Sequence, residues 1–117
     1  MYKIIIIGAG AIGLSIARAI SVNSEDSVLV IEKEESYGRG ISSRNSEVIH
    51  SGIYYKPNSL KASYSTLGRE LIYDFCKKNH IWYKKCGKLV VGNTNQSSEL
   101  ELLYKNANSN NVPDVRI

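Results

Sequence analysis

The sequence predicts an α/β fold, left incomplete, and three observations predict it. Residues 2–7 and 28–31 are short apolar runs rich in β-branched side chains. Between them the apolar residues change to helical spacing. Gly8, Gly10 and Gly13 stand where the first run gives way to that repeat.

The first run, YKIIII, is bounded by glycine and reads as a strand buried on both faces. A greasy targeting segment is the competing reading. It fails on length, because a spanning helix needs about 20 mostly apolar residues. Gly8 and Gly10 interrupt this run at once, and Arg18 follows. Lys3 alone is a weak basic start for a signal peptide, so neither a leader nor a span is expected.

A helix is expected from Ala11 to about Val22, with Ile12, Ile16, Ala17 and Ile20 on one side. Asn23 to Ser27 is a polar turn, and VLVI at 28–31 is a second buried strand. The result is a βαβ unit with a crossover helix. Residues 33–58 then make a long polar excursion holding Gly38, Gly40 and Gly52, where a plain nicotinamide-type domain would add another helix and strand. Long connections of this kind are often functional.

From Ser59, a fitting N-cap, a helix is expected to about Asn79, with Leu60, Tyr64, Leu67, Leu71 and Phe75 as its apolar stripe. Gly68 is its soft spot. WYKKC and KLVVG around Gly87 suggest a small β-hairpin, with Trp82 and Tyr83 as core or sheet-face aromatics. A last helix, about Gln96 to Asn108, carries Leu100, Leu103 and Ala107 on one face and ends in NSNNVP. Val115 to Ile117 looks like the start of a further element, so residues 1–117 are expected to be one incomplete domain.

The glycines fit G-x-G-x-x-G, with a strand before and a helix after. The first permits the turn, the second lets a pyrophosphate approach the backbone, and the third lets the helix lie close to the sheet. The helix start adds free N–H groups and partial positive charge. Glu32 closes the second strand 19 residues past Gly13. A carboxylate there can accept from both ribose hydroxyls of an adenosine and would repel a 2′-phosphate. The competing reading is a glycine turn without a ligand and a glutamate that merely ends a strand. The motif does not choose between NAD and FAD; the polar excursion after Glu32 favours FAD.

SSRNSEVIHSGIYYKPNSLKA at 42–62, together with GAGAIG, IEKE and YKKCGKLVVG, resembles the L-2-hydroxyglutarate dehydrogenase/oxidase family. Those are FAD-dependent enzymes of the D-amino-acid oxidase-like superfamily, and the resemblance runs from Lys3 to about Val115. It implies a Rossmann-like FAD-binding unit and oxidation of a 2-hydroxy acid, L-2-hydroxyglutarate, to the 2-oxo acid. It implies that Gly8, Ala9, Gly10, Ala11, Ile12 and Gly13 hold the FAD pyrophosphate and Glu32 the adenosine ribose. Ser42, Ser43, Arg44 and Asn45 would lie along the pyrophosphate and ribityl chain, and His50 near the isoalloxazine as the catalytic residue. Many family members carry glycine where this chain has Glu47, which loosens the substrate assignment. Family chains run to several hundred residues, so this chain corresponds to an N-terminal portion and is expected to be inactive by itself. A dinucleotide-binding module without turnover is the alternative.

Without the resemblance, SSRNS also reads as a solvated loop, His50 as a structural histidine, and Tyr54, Tyr55 and Lys56 as packing and surface residues. The net charge is +4, with lysines clustered at Lys77, Lys78, Lys84, Lys85 and Lys88. Such a cluster could attract nucleic acid or an anionic membrane. No nucleic-acid motif accompanies it, so a solvated surface is the reading and nucleic acid is not an expected partner. Peripheral membrane contact stays open for a longer protein; the expected partner is the small 2-hydroxy acid. Cys76 and Cys86 form no CxxC and join no metal-ligating cluster. Two reduced thiols fit a cytoplasmic location.

Overall fold

The computed structural model describes residues 1–117 and divides into two compact units, Met1–Val48 and Ile49–Ile117. In the first unit, β1 (Ile4–Ile7), α1 (Ala11–Asn23) and β2 (Val28–Ile31) form the expected βαβ unit. The strands pair in parallel, Ile4 opposite Val28 through Ile7 opposite Ile31. The ladder runs on at both ends, with Ile4 N–H donating to Ser27 O at 3.1 Å and Gly8 N–H to Ile31 O at 2.7 Å.

Gly13 brings α1 against β1. A Cβ built there would fall 2.0 Å from Gly8 O and 3.4 Å from the Ile6 side chain, so only glycine fits. Gly13, Ala17 and Ile20 form the half-buried side of α1, while Ile12 and Ile16 stay exposed. The expectation that β1 is buried on both faces is corrected. Ile4 and Ile6 are half-buried under α1, but Ile5 is 57% and Ile7 88% exposed. The period-2 geometry of a strand sends alternate side chains to opposite faces, and α1 covers one of them. Residues 33–48 form no strand, as expected. They fold through turns and one short 3₁₀ turn at Ile41–Ser43. Gly38 N–H donates to Ala9 O at 3.0 Å and ties this excursion to the glycine turn.

In the second unit, α2 spans Leu60–Lys78, and the Ser59 hydroxyl caps it by accepting from Ala62 N–H at 3.2 Å. Lys77 and Lys78 occupy its last turn, where positive charge suits the helix dipole. The helix is where the sequence put it, but its buried side is not. Ala62 and Cys76 are buried, with Ser65, Thr66, Arg69 and Tyr73 half-buried between them, while Leu60, Tyr64, Leu67, Leu71 and Phe75 are exposed.

The hairpin around Gly87 is also corrected, for residues 81–93 contain no strand. Gly87 does turn, at φ +71°. Its N-terminal flank packs on α2, while Lys88 Nζ, past the turn, sits 4.4 Å over the Tyr54 ring. The Tyr83 and Tyr73 rings lie 5.1 Å apart, and Lys85 Nζ sits 4.3 Å over the Tyr73 ring. An isolated two-stranded hairpin is marginal in water, so ring contacts of this kind decide the outcome. Trp82, expected to be packed, is 84% exposed. Asn93 and Gln96 form a reciprocal capping box ahead of α3 (Ser97–Ser109). On α3 the expected face holds: Leu100 and Leu103 are half-buried and Ala107 is buried.

Candidate functional site

The first unit carries a cleft of about 360 Å³, lined by Gly10, Glu32, Lys33, Glu34, Gly38 and the Gly40–Ser42 turn. That volume lies at the low end for small-molecule sites. The sequence supplies it in three pieces. The chain leaves β1 through Gly8 at φ +103°, a conformation in which a side chain would be strained. Gly10 is the N-cap of α1 and offers no side-chain cap, so the helix start faces the cleft with backbone groups. Glu32 leaves β2 beside the glycine turn, and residues 33–43 wrap the remaining side.

Glu32 is held by three amides. Its Oε2 accepts from Ala9 N–H at 2.7 Å, and its Oε1 from Lys33 N–H at 2.8 Å and Glu34 N–H at 3.1 Å. The carboxyl is held below the usual carboxylate range, chiefly by Ala9 N–H and then Glu34 N–H. Desolvation opposes them, and the Lys33 N–H and charge add to them. Glu32 is therefore an anion at neutral pH, able to accept hydrogen bonds and unable to donate.

Ser42 closes the other side. Its Oγ accepts from Ala11 N–H at 2.8 Å, and a Cβ at Gly10 would fall 3.1 Å from that oxygen. The hydroxyl thus stands on the first helical amide, over the bare Cα of the second motif glycine. An arrangement of this kind binds an anion at the helix start and hydroxyl groups at the carboxylate.

Of the residues singled out in the sequence, the structure brings Gly8, Ala9, Gly10, Ala11, Glu32 and Ser42 together here. Ile12 is exposed on the first turn of α1, and Gly13 is turned to β1. Ser43 does not line the cleft; its hydroxyl donates to Gly40 O at 2.9 Å. Asn45 braces the backbone, donating to Ser42 O at 2.6 Å and accepting from Glu47 N–H at 2.7 Å. Arg44 ends the 3₁₀ turn and is exposed. His50 belongs to the second unit, exposed, two residues before buried Gly52. Gly38 and Gly40 were legible only as loop glycines; as cleft lining they had no signal beyond following Glu32.

The family model described as "DAO: FAD dependent oxidoreductase" matches residues 3–117. Among curated relatives, the mitochondrial L-2-hydroxyglutarate dehydrogenase of Arabidopsis thaliana is 44% identical over 97% of this chain and 23% of its own length. The Dictyostelium discoideum protein of the same name is 41% identical over 100% of this chain and 27% of its own. The Homo sapiens protein of that name is 42% identical over 99% of this chain and 26% of its own. The chain thus spans about a quarter of the length of these relatives. The expected cytoplasmic location is overturned by the same comparison, since each of these relatives is named as mitochondrial. No helix is long and apolar enough to cross a membrane.

Proposed function

The chain belongs to the FAD-dependent oxidoreductase family, and from that premise we propose that it is the FAD-gripping N-terminal portion of an enzyme that oxidises a 2-hydroxy acid, L-2-hydroxyglutarate, to the 2-oxo acid. The observation that carries the reading is the cleft in which a helix start with bare Gly10 at its N-cap and the anionic Glu32 face the same space. The residues present fit the group. Gly10 leaves its Cα bare toward the cleft, and Glu32 offers the acceptor that sugar hydroxyls need.

Gly8, Ala9, Gly10, Ala11, Ile12 and Gly13 present the turn and helix start to the pyrophosphate. Glu32 accepts from the adenosine ribose. Ser42 and Arg44 contact the pyrophosphate and ribityl chain, and Ser43 and Asn45 brace the backbone that carries them. FAD held by these residues would supply a two-electron acceptor for the hydride on the substrate's carbinol carbon. His50 takes the hydroxyl proton of the same substrate, so that one hydride and one proton leave together and the carbonyl forms. For the 117 residues by themselves, which span about a quarter of the relatives' length, the second reading is dinucleotide binding without turnover.

The test uses the natural protein. A visible flavin spectrum and dye reduction by L-2-hydroxyglutarate are expected, and Gly10→Val abolishes flavin retention because a branched side chain fills the phosphate's approach. Unchanged retention in Gly10→Val would remove the glycine turn as the site.

A further inference from the structure

Asn110 is the one polar residue buried in the chain, 6% exposed, and from the sequence it reads only as part of a helix end. It stands at the C-cap of α3, where its own N–H donates to Asn106 O at 2.9 Å and Val112 N–H donates to Ala107 O at 3.0 Å. Its side chain reaches 58 residues back in sequence. Nδ2 donates to Gly52 O at 2.9 Å and to Tyr55 O at 2.7 Å. The amide NH₂ carries two hydrogens on one atom, one for each carbonyl. The same turn closes on itself, Tyr55 N–H donating to Gly52 O at 3.2 Å. Its opposite side rests on α2: Gly52, at φ +93°, lies so close that a Cβ would fall 3.3 Å from Thr66 Cγ2.

The segment is thus clamped from α3 and seated on α2, and His50 enters it two residues upstream of the clamp. A helix end that spends a buried side chain on a distant turn fixes that turn at a real cost in desolvation. We propose that Asn110 is a positioning residue for His50, setting the path of residues 50–55 so that the imidazole meets the substrate hydroxyl. The inference rests on the role given to His50 under Proposed function.

The experiment is a double-mutant cycle on the natural protein loaded with flavin: Asn110→Ala, His50→Ala and the pair. Asn110→Ala lowers kcat roughly ten- to a hundredfold, with KM little changed and flavin content intact, as expected for a misplaced reacting group. It also shifts the pH profile of kcat. In the His50→Ala background the same substitution has no further effect. Equal losses in both backgrounds would overturn the proposal, because Asn110 would then act on stability alone. A His50→Ala protein with normal kcat would remove the reading beneath it, and the proposal with it. Asn110→Ser, which keeps one donor, takes the place of Asn110→Ala if the latter does not fold, and is judged by the same cycle.

Discussion

Glu32 braces the glycine turn, and in the proposed function the same carboxylate must also hold a ribose. Its two oxygens have about four acceptor positions, and backbone amides of Ala9, Lys33 and Glu34 take three of them. Gripping both hydroxyls of a ribose therefore requires one amide to let go. The lowered pKa gives these bonds a pH dependence. A carboxyl depressed on folding contributes stability above its unfolded pKa, and that contribution is lost as pH falls through the folded value. The stability gap between the wild type and Glu32→Gln, read from urea midpoints, should be widest near neutrality and shrink in acid; a gap constant with pH would mean the amides do not favour the anion. The place of Glu32 beside the glycine turn was legible because spacing from a glycine motif depends on the length of a βαβ unit. The grip of Asn110 was not, because it joins residues 58 apart through a side chain common at helix ends. Glu47 is intermediate. The family resemblance marks it as a departure from glycine, and the structure gives a reason glycine suits: φ is +58°, with the Asn45 side chain holding the amide.

At the scale of elements, the order of strands and helices was readable and the faces were not. Periodicity located α2 almost to the residue, since Ser59 supplies a cap and the apolar repeat lasts the whole helix. It could not say which side would be covered. The covered side begins with Ala62, Ser65 and Thr66, small residues that let Gly52 come close. The hairpin failed for a related reason: strand propensity around Gly87 lost to aromatic and lysine contacts with Tyr73. Within α2, Gly68 has open space where a Cβ would stand. Gly68→Ala should raise stability by about 1 kcal/mol through helix propensity alone, shifting the denaturant midpoint upward with no change in slope. A loss of stability there would mean the site is more crowded than its surroundings indicate.

Across the whole molecule, apolar surface remains on both units. Ile5 and Ile7 stand out from the uncovered face of the sheet, and Leu60, Tyr64, Leu67, Leu71 and Phe75 line α2 toward water. Exposed apolar side chains of this kind attract partners or copies, and both edges of the two-stranded sheet remain unpaired. An environment-sensitive dye should brighten on the purified chain, and Ile7→Lys with Leu67→Lys should dim it. Clustering that arises from wet isoleucine and leucine is governed by entropy near room temperature. Particles formed by this chain should therefore grow on gentle warming and dissolve again in the cold, the reverse of what a charge-driven precipitate would do.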